Sequence, residues 1–240
     1  MKNKVKKTVS EEIEALIRIS KAITSDMYIE DILKLIVNVT AEVFKSKVCS
    51  ILLYDEKENV LKIRATQAMS DEYLKKPPLK PDEGIAGKVF TSKKPIVVED
   101  VRKEKEYKYR EIAEKEGLVS LLSVPLIVKN RAIGVLNVYT TKKHNFTEEE
   151  IELISSIANQ AAIVIENTEL LIRTKILEEE LETRKKVEKA KGILMKEENL
   201  TEEEAYSKLR KFSMDKRISM KEVAEAIIIA YEVKKIGKIK

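Results

Sequence analysis

The sequence predicts an α+β protein: an antiparallel-sheet domain with helices at its start and end, a long coiled-coil-like connector helix, and a small C-terminal three-helix bundle. Three observations lead there. Apolar runs at 48–54 and 60–65, and again at 118–128 and 131–140, are joined in pairs by polar turns, the pattern of two hairpins. No Gly falls between Gly134 and Gly192 and no Pro follows Pro125, so nothing from there on breaks a long helix. Helix starts of the Ser/Thr-x-x-Glu type recur at Thr147, Thr201 and Ser219, each with an apolar residue on either side of the box.

In chain order, Thr8-x-x-Glu11 is a capping box, and Ile13, Leu16, Ile17 and Ile23 follow at near-helical spacing. After the break at Ser25-Asp26, the series Ile29, Ile32, Leu33, Ile36, Val37, Thr40 and Val43-Phe44 makes a second amphipathic helix. The first hairpin turns at residues 55–59. Lys76-Pro77-Pro78 and Lys80-Pro81 mark irregular chain. Residues 84–90 read as a short helix entered through glycine, and 95–98 as a short strand. A charged segment over 99–116, with Tyr107 and Tyr109 in it, ends at Gly117, and the last hairpin turns at Lys129-Asn130. Helices and strands in this order, on an antiparallel sheet, define an α+β domain.

The connector begins at Thr147, with Glu150 returning the capping bond and Phe146 stapled to Ile151. At about 1.5 Å per residue, some 50 residues would span about 75 Å, longer than either flanking domain is wide. From Ile163, steps of four and three pick out Asn167, Leu170, Thr174, Leu177, Leu181 and Arg184, a short heptad seam. Polar Asn167 and Thr174 in such a seam lower stability while fixing register and strand number, so it predicts a parallel homodimer adjustable from one end. A helix packed on its own domain is the alternative.

The helices after Thr201 and Ser219 pair with the end of the connector. Val187, Ala190 and Leu194, then Ala205, Leu209 and Phe212, then Met220, Val223, Ala224, Ile227 and Tyr231, supply a bundle core, with Gly192 allowing close helix approach. Tyr206, Arg210, Ser213 and Arg217 share one face of the second helix; Lys185, Lys189 and Lys196 line one side of the first, with Lys191 nearby. Arg and Tyr stack on bases and Arg forks onto phosphates, so this face suits unpaired RNA bases held by their backbone. A solvated basic face is the plainer reading. Residues 173–240 hold 18 Lys/Arg against 14 Asp/Glu, most of the chain's formal excess of +5.

No run of 18 apolar residues and no secretory signal is present, and one cysteine, Cys49, cannot close an intrachain disulfide, so a cytoplasmic protein is expected, without a membrane partner. Cys49 reads as a core filler and His144 as an exposed structural residue. The Gly84/Gly87 pair lacks the third glycine of a phosphate loop, and the acidic clusters lie on solvated helix faces. Neither an enzyme nor a cofactor is indicated.

The run Gly84-Ile85-Ala86-Gly87-Lys88-Val89-Phe90, then 94–101, Ser123-Val124-Pro125-Leu126, 134–138, and Phe146 leading into Gln160-Ala161-Ala162 and Ile165-Glu166-Asn167, resembles a GAF domain over about residues 10–167. The resemblance implies a sensory module with a pocket between sheet and excursion helices, lined by Ser50, Val98, Tyr107, Leu121 and Ser123. That pocket either takes a small-molecule ligand or is filled by its own side chains.

Residues 184–195, then Leu200-Thr201-Glu202-Glu203-Glu204-Ala205-Tyr206 with Leu209-Arg210, Ser213-Met214 and Val223-Ala224, resemble an ANTAR domain over about 178–235. Ser213 stands where alanine is usual and Asn199 where glycine is. The resemblance implies a bacterial regulator that binds tandem RNA hairpins in nascent transcripts and prevents transcription termination, with RNA-contacting roles on Lys191, Tyr206, Arg210 and Arg217. The expected organisation is therefore 1–167 sensory, 168–183 connector and 184–240 RNA-binding. A DNA-binding regulator and a dimeric scaffold without nucleic acid are the competing functions.

Overall fold

The computed structural model describes residues 29–44, 46–68 and 70–236, so the helix expected over 8–23 lies outside the described residues. The elements are α1 (Ile29–Phe44), β1 (Val48–Asp55), β2 (Val60–Thr66), α2 (Asp71–Leu74), α3 (Gly84–Ser92), β3 (Ile96–Val98), α4 (Arg110–Glu116), β4 (Leu121–Val128), β5 (Arg131–Tyr139), α5 (Glu148–Glu198), α6 (Glu202–Lys216) and α7 (Met220–Ile236). The chain divides into two compact units, one up to residue 169 and one from 170 onward.

The first unit is built on a five-stranded antiparallel sheet of order β2-β1-β5-β4-β3. Strand side chains alternate between faces, and both faces are covered. Cys49, Ile51 and Leu53 of β1, Leu122, Val124 and Leu126 of β4, and Leu136 and Val138 of β5 pack with α1 and the first turns of α5. The opposite parity, Val48, Leu52, Leu121, Val135 and Tyr139, packs under the excursion between β2 and β4. Gly134 is required at the centre: a Cβ there would stand 2.2 Å from the Leu52 carbonyl oxygen across the β1–β5 pair. Pro125 is tolerated inside β4 because β3 pairs only with Leu121–Ser123, leaving that edge open at Pro125.

One strand start and one short helix differ from the sequence expectation. β4 starts at Leu121, since residues 118–120 are spent on connections in which Val119 donates to the Thr140 carbonyl and accepts from Val101. The four-residue α2, capped by the Ser70 hydroxyl accepting from the Tyr73 N–H, is too short to leave a periodic signal. Gly117 ends α4 with φ +64, as a left-handed C-cap does.

α5 starts as expected. Thr147 N–H donates to Glu150 Oε2 (2.8 Å), Glu150 N–H donates to Thr147 Oγ1 (3.2 Å), and Phe146 and Ile151 pack against the same apolar cluster.

In the second unit, the last turns of α5 pack with α6 and α7 around Ala190, Leu194, Ala205, Leu209, Val223 and Ala224. Reciprocal bonds close the boxes Thr201/Glu204 and Ser219/Glu222. Three side chains depart from expectation. Phe212 is exposed, because burial along α6 stops at Leu209. Tyr231 is only partly covered and lies under the Lys235 ammonium instead of in the core. Gly192 does not admit a neighbouring helix: a Cβ there would meet nothing within 4 Å.

Candidate nucleic-acid interface and sheet-domain cleft

The chemistry of the three-helix unit is decided by which cations are already spent. Lys186 reaches Glu225 (2.7 Å) and Lys189 reaches Glu232 (2.9 Å), tying α5 to α7. Lys191 bridges Glu188 (2.8 Å) and Glu202 (2.7 Å), tying α5 to the start of α6, while Lys208 pairs with Glu198 and Lys234 with Glu197. The Lys191 side chain is 10% exposed, and its two carboxylate partners push its pKa above the usual lysine value. The sequence put Lys191 among the RNA-contacting groups; the structure seats it in a joint between helices.

Other cations remain free. Arg210, Arg217 and Lys185 are exposed and make no ion pair among the described residues, as is true of Arg184, Lys196, Lys211 and Lys216, and Tyr206 is 48% exposed on the same side of α6 as Arg210. Arg217 is the left-handed C-cap of α6 (φ 53), so its position is set by backbone bonds to Met214 and Ser213. The Ser213 hydroxyl donates to the Ile218 carbonyl (2.6 Å) and is left only as an acceptor. The face is thus Tyr206, Arg210 and Arg217, with Lys185 on α5; Lys189 is half-engaged by Glu232.

Along α5, the seam residues Ile163, Asn167, Leu170, Thr174, Leu177 and Leu181 are all exposed in the single chain, and so are Leu171, Ile172 and Ile176, which the heptad reading left out.

The cleft in the sheet domain lies between the sheet and the excursion and encloses about 30 Å³, the room one water needs. Of the five residues expected to line it, Ser50, Tyr107 and Leu121 do. Val98 and Ser123 do not: Val98 is buried among the apolar residues under the excursion, and the Ser123 hydroxyl donates to Asn137 Oδ1 (2.7 Å). Tyrosines fill the space instead. Tyr73 donates to Ser50 Oγ (3.2 Å), Tyr107 donates to Tyr139 Oη (3.2 Å), and the Tyr73 and Tyr107 rings each meet Tyr139 edge-on at 6.4 Å. Burial pushes the pKa of Tyr107 up to about 12 and raises those of Tyr73 and Tyr139, so all three stay neutral donors.

Tyr73, Lys76, Tyr109, Asn137 and Tyr139 also border the cleft and were not singled out from sequence. Asn137 and Tyr139 carried a signal: they share strand parity with Val135 on β5. Cys49 is fully buried with its thiol pushed up to about 12 by desolvation, an inert filler. His144 accepts or donates one bond to Glu150 (3.0 Å) beside Phe146, in the loop that enters α5. Among the described residues no His/Cys/Asp/Glu group could hold a metal, and no helix is long and apolar enough to cross a membrane.

A sheet domain with a small cleft, carried on the same chain as a helical bundle with an exposed Arg/Tyr face, defines a two-module protein. The chain belongs to the GAF domain family, which matches residues 27–166, and carries an ANTAR domain at 175–228. It is 39% identical over 77 residues to the transcriptional regulatory protein PdtaR of Mycobacterium tuberculosis, covering 32% of this chain and 38% of that protein. It is 46% identical over 52 residues to the nitrate regulatory protein of Klebsiella oxytoca, covering 22% and 13%. The chain therefore spans well under half the length of these relatives. Among solved structures, the GAF domain from a phosphoenolpyruvate-protein phosphotransferase of Coxiella burnetii superposes with a TM-score of 0.60 at 25% identity, covering 67% of this chain and 96% of that one.

Proposed function

We propose that the protein is a signal-responsive RNA-binding transcription antiterminator, non-enzymatic and cytoplasmic, in which residues 1–167 sense, 168–183 set dimer geometry and 184–240 hold tandem RNA hairpins. One observation carries the reading: in the ANTAR domain five lysines are tied up by glutamates, while Tyr206 and Arg210 stand exposed on one face of α6 with no ion pair at Arg210. Stacking with a guanidinium and a phenol suits splayed loop bases, and paired bases offer no open ring faces. Two such faces in a dimer would engage two hairpins, and the exposed seam from Ile163 to Leu181 supports pairing of two chains.

Binding to a duplex DNA is disfavoured by α7, the candidate recognition helix. Its Glu225 and Glu232 are paired back onto Lys186 and Lys189 of α5, so that face is neutralised and presents no net positive charge to phosphates. The test is binding of the full chain to a tandem RNA stem-loop and to an equally long duplex DNA at two salt concentrations. Binding to RNA that survives excess duplex supports the reading. Equal, steeply salt-dependent binding to both would reduce the face to a basic surface, and binding to neither would favour a scaffold.

A further inference from the structure

The sheet-domain cleft holds a charge with no partner. The Lys76 ammonium stands 3.4 Å from the centroid of the Tyr73 ring, 5.1 Å from Tyr109 and 5.9 Å from Tyr139. Among the described residues it has neither an ion pair nor a hydrogen-bond acceptor. The residues bordering the cleft include two cations, Lys76 and Lys108, and no carboxylate. Lys108 is answered by Glu83 at 2.6 Å outside the lining; Lys76 is answered by aromatic faces alone. The remaining polar groups are Ser50, the Asn137 amide and tyrosine hydroxyls, and the floor is apolar, with Leu52, Leu61 and Leu121.

We propose that this cleft binds a small monocarboxylate with a short apolar tail, its carboxylate taken by the Lys76 ammonium and its tail by the leucine floor. The proposal rests on the reading of this domain as the sensor and names the class of its ligand. Charge decides the class. A charge-assisted bond to a carboxylate in a partly desolvated site is a stronger arrangement for an ammonium than a cation–π contact alone. A cationic ligand would have to displace Lys76 and would find no carboxylate. A dianion would bring a second charge for which Lys108, already paired, has no capacity.

Size points the same way. The cleft of about 30 Å³ has to widen for a ligand, and we assign that movement to the stretch from Lys76 to Leu79. It is held by Tyr109 donating to the Pro77 carbonyl (2.5 Å) and by the paired Leu61 and Leu79 backbones (2.7 and 3.1 Å). Pro77 and Pro78 supply no N–H to strengthen that hold. A modest outward shift admits a few heavy atoms and little more.

Binding is coupled to a proton. Burial lowers the Lys76 pKa from 10.5 to about 7, and the Glu116 carboxylate opposes this only through its field. The other titratable groups bordering the cleft are Tyr73, Tyr107, Tyr109 and Tyr139, all raised by burial and neutral, and the charged Lys108. A carboxylate captures the protonated amine, so above pH 7 binding takes up a proton and weakens as pH rises.

The experiment is calorimetric titration of the full chain with acetate, butyrate and benzoate at pH 6.5 and 8.5, in two buffers of different ionisation enthalpy, with tetramethylammonium as the cationic control. At least one carboxylate is expected to bind more tightly at pH 6.5, with proton uptake at 8.5, and the Lys76→Met variant, folded by circular dichroism, is expected to lose at least tenfold in affinity. Silence from all three carboxylates, equal affinity in Lys76→Met, or binding of tetramethylammonium alone would overturn the proposal. RNA binding by the same preparation is measured alongside. Intact RNA binding with no carboxylate binding removes the ligand class and leaves the antiterminator reading standing.

Discussion

Lys191 and Glu202 close the joint between α5 and α6: the ammonium lies 2.7 Å from one carboxylate oxygen of Glu202 at the first turn of α6, and Glu188 holds it from the other side. Two carboxylates already engage this lysine, so a phosphate would have to compete with both of them. Lys191→Gln is expected to lower the thermal midpoint by a few degrees, because a sheltered ion pair at a helix joint is lost. It is also expected to leave the salt dependence of RNA binding unchanged. A salt slope smaller by about 0.7, the value for one released single-strand counterion, would return Lys191 to the interface.

The opposite behaviour is expected at Tyr206 and Arg210. Both are exposed, neither supports the core, and Arg210 has no ion pair among the described residues. Tyr206→Ala and Arg210→Ala should each weaken binding to the tandem hairpin by about 1–3 kcal/mol, the range for loss of one stacked base, with the thermal midpoint unmoved. Tyr206→Phe keeps the ring and should keep most of the affinity. Equal losses from Phe and Ala would mean that the hydroxyl, and not stacking, carries the contact.

Much of this architecture could be read from the sequence, and the failures have physical causes. The three capping boxes and the sheet were legible because each rests on residues close in the chain: Thr147 with Glu150, Thr201 with Glu204, and the strand parity that sends Cys49, Ile51 and Leu53 to one face. The tyrosine cage was not, because Tyr73, Tyr107 and Tyr139 meet only once three separate segments fold over the sheet. The GAF resemblance brought Ser123 to the cleft side of the sheet, yet its hydroxyl is taken by Asn137 across the β4–β5 pair. Phe212 sits in phase with Ala205 and Leu209, but periodicity gives direction around a helix and not where along it the covering ends.

The pairing of Lys191 was likewise hidden from the sequence. A lysine beside Lys185 and Lys189 in sequence reads as one more positive charge, and only the fold reveals that Glu202 from the next helix has already taken it. Composition counts charges; geometry decides which are spent.

The α5 seam gives a further test. Leu177 is 63% exposed in the single chain, so replacing it should cost the monomer nothing while damaging a two-chain seam. Leu177→Asp is expected to shift the protein from dimer to monomer in sedimentation equilibrium, with helix content from the first unit preserved. Asn167→Leu is expected to tighten the seam while loosening its choice of register or strand number, visible as higher oligomers. A wild-type protein that sediments as a monomer at micromolar concentration would dismiss the seam altogether.

Lys76 links the cleft to stability. Its pKa is near 7 in the folded chain and 10.5 when unfolded, so between those values the unfolded chain holds a proton that the folded chain has released. The resulting penalty on folding is fully present below pH 7 and fades as pH rises toward 10.5. Stability of the first unit should therefore rise with pH across that window, by a few kcal/mol at most. Lys76→Met should be more stable than wild type at pH 7 and should lose that slope. Parallel pH profiles for the two proteins would show that the amine is solvated in the folded state.

Gly192 separates stability from function most directly. It lies inside α5, exposed, and a Cβ at this position would meet nothing within 4 Å. The fold therefore gives no reason for glycine, and Gly192→Ala should stabilise the second unit by about 1 kcal/mol through helix propensity alone. The position follows Lys191 on the helix that also presents Lys185, so a glycine there leaves backbone open to an approaching ligand. If an RNA backbone uses that opening, Gly192→Ala will raise the thermal midpoint and weaken hairpin binding together, a combination that a purely structural glycine cannot produce. Higher stability with unchanged affinity would confine the RNA to the Tyr206 and Arg210 face.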